Sequence, residues 1–298
     1  MSTHPKLIRP DTNSPIFNVT GRDSLVIRAG TIFGDYTFVE DTPVPRHLDA
    51  TGVPGYIPGA DYAVHFDGTA MSVSRPVGIP EGETLLGGFH YATGGNATAR
   101  SGGDDIPAIN PCSLWDVGFR PACPDPRGMV LVEANGTRFW CDIYLTGTHH
   151  LSNGTSKFGV TIADGEDLPI NAEGKKTASF DYATAKAVMA AHGKGLLSVY
   201  EFFAASFGVT EKTAASRDPE TTGIDAPRTS RFGVMQATGN LWVWGHDGDP
   251  DEPRASIFGG SWFSGGVAGS RFAYLGYWID NSFVSLGARG RSDHLQLA

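Results

Sequence analysis

The chain is cut into short pieces. Glycine occurs 39 times and proline 19 times in 298 residues, so few stretches are long enough for more than a short strand. The pieces between breaks are β-rich: "SLVIRAG", "TIFGDYTFV" and "DYAVHF" early, "TLLGGFHYA" and "GMVLVEANGTRFWCDIYLTG" in the middle, "FGVMQATGNLWVWG", "ASIFGGSWFSG" and "FVSLGARG" late. Asn135-Gly136 is a hairpin-turn signal within the middle group. Only two segments read as helices. "DYATAKAVMAAHGKG" opens on Asp181 as N-cap and closes at Gly193 or Gly195. "SVYEFFAASFG" opens on Ser198 with Glu201 three residues on, a capping box, and closes at Gly208. The expected fold is mostly β with an α+β C-terminal domain. Residues 1–14 read as a leader, 15–115 as a small β-sandwich-like domain, and 116–298 as a second domain beginning near "SLWDVGFRP".

Hydrophobic residues make up 40% and charged residues 18%, which suits a packed core and argues against disorder. The net charge of −9 argues against nucleic acid as a partner, because phosphate backbones select basic faces. The start, "MSTHPKLIRPDTNSP", has no apolar core of a Sec signal peptide, and no apolar run is long enough to span a bilayer, so no membrane insertion is expected. Three cysteines, Cys112, Cys123 and Cys141, with no CxxC, suggest free thiols rather than a disulfide frame or zinc site. His149-His150 is read as two neighbouring strand residues, one packed and one exposed, which cannot chelate together. "HDGDPDEPR" places Asp247, Asp249 and Asp251 at alternate positions, but the rest of a calcium loop is missing. A solvated acidic loop is expected there, with a structural Ca²⁺ left open; no other cofactor is expected. No GxSxG elbow or phosphate-binding loop occurs, so no catalytic residues are assigned.

The stretch from Gly259 to Gly290 is different in kind. Glycines and serines alternate there with Phe263, Tyr274, Tyr277, Trp278 and Phe283. Around it, Gly239, Gly259, Gly260 and Gly287 permit tight turns, Trp242, Trp244 and Trp262 supply packing rings, and Arg271 and Arg289 can each tie several carbonyls. Trp262, Trp242 and Trp244 are expected in the core, Arg271 and Arg289 buried near the loops, and Phe263, Tyr274, Tyr277 and Phe283 together in one exposed patch.

In this order and spacing, these motifs resemble the C-type-lectin-like fold shared by formylglycine-generating enzymes and the variable proteins of diversity-generating retroelements. The enzyme branch needs a cysteine pair in its C-terminal half, and this chain has no cysteine after Cys141. The similarity is closer to the phage tropism-determining branch. It runs through "RAGTI", "GGFHYA", "SLWDVGFRP", "DPRGM", "DIYLTGTHHLSNGTSKFGVTIADG", "HGKGL", "YEFFAASFG", "GNLWVWG", "FGGSW", "GSR", "GARG" and "DHLQL", from about Ile27 to the end.

The resemblance implies a C-type-lectin-like domain over 116–298 and a tail-fibre-tip protein of a virion that binds a host cell-surface protein receptor. A cellular surface-display protein of the same fold is the alternative, and an enzyme of the formylglycine-generating type a second. It implies that the diversified ligand-binding positions are Ser261, Phe263, Ser264, Val267, Tyr274, Gly276, Tyr277, Asn281, Phe283 and Ser285. All ten are residue types that an NNC codon can encode, as adenine randomisation of AAC requires, whereas Trp262 and Trp278 are not and should be frame. It also implies a homotrimer. Linking identical sites raises avidity by about 10²–10⁴ without new contacts. The chain looks too short for the additional N-terminal β-prism of that branch, so the two remaining domains would hold the trimer.

Overall fold

The computed structural model describes residues 7–75, 82–93, 106–134, 136–247 and 254–295. Near the N-terminus lie β1 (Phe17–Gly21) and β2 (Ser24–Ile27), an antiparallel hairpin in which Phe17 faces Ile27 and Val19 faces Leu25. A second sheet is centred on β3 (Ala60–Phe66), which pairs antiparallel with both β4 (Met71–Ser74) and β5 (Thr84–Ala92). Tyr62, Val64 and Phe66 alternate along β3 onto one face, and Ala63 and His65 on the other face are buried too. The first three join Phe17, Leu25, Ile27 and Phe89 in one hydrophobic core that draws on residues from Ile16 to Leu114. Tyr62 and Phe89 stack with their ring centroids 5.5 Å apart.

The buried carboxylate of Asp116 ends this region. It accepts N–H bonds from Ile16 at 2.9 Å, Gly118 at 2.7 Å and Phe119 at 2.8 Å, and so ties residue 16 to a turn one hundred residues later. The chain then forms the hairpin β6 (Met129–Ala134) and β7 (Thr137–Asp142), followed by a short helix α1 (His150–Asn153). Next come α2 (Tyr182–Ala190), β8 (Gly195–Leu196) and α3 (Val199–Ala205). The last elements are β9 (Trp242–Gly245), β10 (Arg254–Phe258), β11 (Ala273–Trp278), β12 (Leu286–Gly287) and β13 (Gly290–Asp293). They make two four-stranded sheets, in the orders β6-β7-β13-β8 and β11-β10-β9-β12. Strand β13 closes the region by pairing with β7, Cys141 facing Arg291. The architecture is mostly β, as expected.

Both expected helices form with the caps read from sequence. The Asp181 carboxylate accepts from Thr184 N–H at 2.8 Å, and the Ser198–Glu201 capping box closes in both directions. Helix α2 ends in a Schellman motif: Lys194 N–H reaches Met189 O at 3.0 Å and Gly193 N–H reaches Ala190 O at 3.1 Å. The strand reading of His149-His150 is corrected. These residues begin α1, a helix of four residues, too short for sequence periodicity to reveal. His149 is exposed and His150 is buried. The acidic run of "HDGDPDEPR" lies mostly outside the described residues. Asp247, which is described, accepts from Val199 N–H at 2.7 Å and Ser256 Oγ at 2.8 Å, fixing the start of α3 against β10.

Beside α1 lies a buried ion pair, Lys194 Nζ to Asp142 Oδ1 at 2.6 Å, with Nζ also donating to Gly154 O at 2.9 Å. His150 sits near it, and neither ring nitrogen has a hydrogen-bond partner among the described residues. Burial, reinforced by the Lys194 charge, holds the imidazole well below the usual histidine range. Burial depresses His65 and His294 as well. In the unfolded chain these rings take protons near pH 6.5, but in the folded chain they resist. The folded state therefore binds fewer protons, so this stability is complete above about pH 6.5 and is lost as pH falls. Urea unfolding should show lower stability at pH 5.5 than at pH 7.5, with His150 contributing up to about 1.4 kcal/mol in total over that interval. His150→Leu should narrow that difference; an unchanged difference would remove His150 as a contributor.

Candidate functional site

The sheet β11-β10-β9-β12 carries the Gly259–Gly290 stretch. At one end Phe258 faces both Val243 and Ala273; at the other, Arg254 faces Trp278. Strand β12 runs parallel to β9, with Leu286 beside Trp242. Residues 259–272 therefore loop between neighbouring strands at the Phe258 end. Residues 279–285 carry the chain from the far end of edge strand β11 back to the near end of β12 at the opposite edge. They cross on the face that holds Trp244, since Ile279, Tyr277, Trp244 and Leu286 share one hydrophobic cluster.

Strand β11 contains a bulge. Ala255 faces Tyr277 and Ile257 faces Tyr274, so two residues of β10 span three of β11. In a regular strand, residues three apart point to opposite faces. The extra residue at Leu275–Gly276 cancels that inversion and turns both tyrosines to the same face, their ring centroids 6.0 Å apart. Tyr274 stands in solvent. Tyr277 is half-buried, its ring 5.7 Å from that of Trp244, and burial raises its phenol pKa while a hydrogen bond with Asn281 opposes the rise.

One tie fixes the base of the sheet and three hold its loops. Arg289 is buried between β12 and β13; Nη1 donates to Asp142 O at 2.9 Å and Ile143 O at 2.7 Å, and Nη2 to Met235 O at 2.6 Å and Gln236 O at 3.2 Å. Asn240 is buried too; its carbonyl accepts from Trp262 N–H at 2.9 Å and its amide donates to Asp225 Oδ2 at 3.2 Å. Gly259 and Gly260 turn the chain out of β10 at φ 86° and 75°, a region that side chains disfavour. Gly165 lies against the crossing segment: its N–H donates to Phe283 O at 3.1 Å, and a Cβ there would stand 2.4 Å from Phe283 N. Glu211 adds a fifth tie by accepting from Ser270 N–H at 3.0 Å and from its hydroxyl.

The ten sequence-derived positions divide by exposure. Phe263 (68% exposed), Val267, Tyr274 (54%) and Phe283 (51%) stand in solvent. Ser264, Gly276, Tyr277, Asn281 and Ser285 are half-buried. Ser261 is buried, contrary to its reading as a contact residue. Its backbone bridges to Asn240, and its hydroxyl faces Phe263 N–H at 3.4 Å, so it shapes the turn. Of the four rings expected in one patch, three are exposed and Tyr277 is shared between surface and core, in contact with Tyr274.

The frame also departs from expectation in places. Arg289 is buried as expected, but Arg271 is exposed. Trp244 is fully buried, whereas Trp242 and Trp262 are half-buried, Trp262 with its ring stacked on Phe263 at 3.4 Å. Sequence reasoning missed Asn240, Glu211 and Gly165, which lie far from the stretch they hold. It also missed the exposure of Leu275 and Trp278. The one available signal was Gly276 inside a strand, a mark of a bulge.

Comparison with known proteins places this geometry among relatives. Residues 15–116 match the family model described as Mtd second domain. The tail fiber receptor-binding protein of Bordetella phage BPP-1 is 38% identical, the match covering 97% of this chain and 85% of that protein. The solved structure of the Major Tropism Determinant U1 variant superposes with a TM-score of 0.89 at 36% identity, covering 98% of this chain and 86% of that one. The M1 variant gives 0.89 at 36% identity over 100% and 89%, and the I1 variant 0.88 at 37% over the same shares.

The two arginines provide the contrast that tests the frame. Arg289→Ala leaves as many as four carbonyls short of a donor, at about 1–3 kcal/mol for a group that stays unsatisfied, and should cost at least ~3 kcal/mol. Arg271→Ala should stay within about 0.5 kcal/mol of the parent. Chemical denaturation of both variants decides it; similar losses would show that Arg289 is not the tie described.

Proposed function

The chain belongs to the major tropism determinant family, and on that premise we propose that it is the receptor-binding protein of a phage tail fibre, a virion component that recognises a protein on the host cell surface. The observation that carries this reading is the surface itself. Phe263, Tyr274 and Phe283 are each more than half exposed, Tyr274 on edge strand β11 and the two phenylalanines on loops held by Asn240 and Gly165. Large rigid rings offer contact area at little entropic cost, and serines and glycines around them adapt, which is how antibody surfaces bind unrelated targets. In this reading residues 116–298 bear the ligand surface and 15–115 join it to the rest of the particle. The diversified positions are the ten named above, with Ser261 acting through the turn it shapes.

Binding rather than catalysis is also favoured by the thiols. Burial pushes Cys112 up to about 11 and Cys141 up to about 12, and raises Cys123. Thiols held protonated in this way are poor nucleophiles, and none lies in the C-terminal half, where the related enzymes need a pair. Among the described residues no helix is long and apolar enough to cross a membrane.

We read the working form as a homotrimer. A single diversified surface binds weakly on average, and a closed ring of three presents its sites to one cell together. Static light scattering should give three times the chain mass at micromolar concentration; a monomer mass would remove the avidity argument. Labelled protein should bind some strains in a panel of intact bacteria. The triple variant Phe263→Ser, Tyr274→Ser, Phe283→Ser should lose at least tenfold of that binding with its melting temperature unchanged. Retained binding would place the contact elsewhere. Tyr277→Ala should instead cost about 1–2 kcal/mol of stability, because that ring packs on Trp244.

A further inference from the structure

We infer that a recess between two hairpin tips in residues 15–115 is a socket for an arginine side chain, offered by the virion protein to which those residues attach. The inference rests on the proposed function, which gives residues 15–115 the joining role. One tip connects Ile32–Phe33 to Tyr36–Thr37, and the other connects β3 to β4. Between them lies an open recess of about 400 Å³, with Phe33, Tyr36 and Phe66 as its aromatic lining and Asp35 and Asp67 as its acidic lining. Sites for small ligands fall in this range of volume.

The aromatic lining is rigid. The Tyr36 ring centroid lies 4.9 Å from that of Phe38 and 5.0 Å from that of Phe66, which in turn lies 6.1 Å from Phe33. Phe33, Phe38 and Phe66 are buried, whereas Tyr36 is 41% exposed. Packed rings therefore back Tyr36 and order it before a ligand arrives, which lowers the entropic cost of binding. Asp35 and Asp67 are exposed, and neither pairs with a cation among the described residues. Asp67 Oδ1 accepts from Ala70 N–H at 2.7 Å and Thr69 N–H at 2.7 Å, and these bonds hold its carboxyl below the usual range. Ring faces and carboxylates both attract cations. A guanidinium suits the two together, being planar, weakly hydrated and able to fork onto a carboxylate. A metal ion needs several oxygen ligands in one shell, and no group of three metal-ligating side chains gathers among the described residues. A second copy of this chain, at a net charge of −9, is the poorer source of a cation.

The test uses the full chain with its nine tyrosines replaced by 3-fluorotyrosine, followed by fluorine NMR at fixed ionic strength. The Tyr36 signal is the one missing from Tyr36→Phe. N-acetyl-arginine amide should shift it saturably, at least tenfold more tightly than N-acetyl-citrulline amide, which has the same shape and no charge. Asp35→Asn with Asp67→Asn should lose at least tenfold of the arginine affinity; asparagine keeps the turn at residue 67, since its side chain supports the same bonds. An equal response to the two amides, or no saturable shift, would overturn the socket and leave the proposed function standing. The same double variant locates the donor. It should keep the parent's mass by light scattering and the parent's binding to intact bacteria. A lower mass would assign the arginine to a second copy, and lost cell binding would assign it to the receptor; either overturns the virion partner. A parent that binds no strain in the panel would overturn the proposed function, and the virion partner with it, whatever the amides show.

Discussion

A single buried guanidinium joins the two sheets of the C-terminal region. Arg289 stands where β12 ends and β13 begins, and its two terminal nitrogens collect carbonyls from the end of β7 and from the loop that leads toward β9. Lysine could not do this, because one ammonium cannot hold two pairs of acceptors in a plane. Burial lowers the pKa of Arg289, with Asp142 and Cys141 opposing the shift. The four carbonyl dipoles offset much of the cost of a buried charge. The arrangement also explains a strained residue. Gln236 sits at φ 49°, and it is kept there because its carbonyl faces Arg289 while its side chain accepts from Gly223 N–H and donates to Thr221 O.

From that tie follows a division between side chains that hold the fold and side chains that can change. Asn240, Glu211 and Gly165 bind the loops through backbone atoms, which every residue has. The loop path therefore depends little on which side chains the loop carries. Exposed positions such as Phe263 and Phe283 contribute little to stability, since surface substitutions usually fall within about 0.5 kcal/mol. Tyr277 is the intermediate case: change there alters both the surface and the packing on Trp244.

The bulge in β11 shows how a sheet edge becomes a contact surface. Without it, Tyr274 and Tyr277 would point to opposite faces, and one of them would be lost to the surface. With it, the two rings meet on one face, while Trp278 points to the other face beside Arg254. A bulge also twists and shortens regular pairing, which makes an exposed apolar edge a poorer template for unwanted strand addition.

Much of this was written in local sequence. The caps at Asp181 and at Ser198 with Glu201 were legible because a cap is a contact over three residues, and the turn at Gly193 likewise. The mostly β character followed from the spacing of breaks, and the candidate surface from rings set among glycines. What local sequence could not settle was direction. "GSR" and "GARG" look alike, yet Arg289 is buried and Arg271 exposed, because only one of them has four carbonyls from distant segments converging on it. Ser261 was misplaced for the same reason: its backbone bridges to Asn240, about twenty positions away. The sequence by itself determined which segments could be strands, helices and turns, since those depend on neighbours along the chain. Tertiary structure alone decided which side chains face a partner, since that depends on neighbours in space.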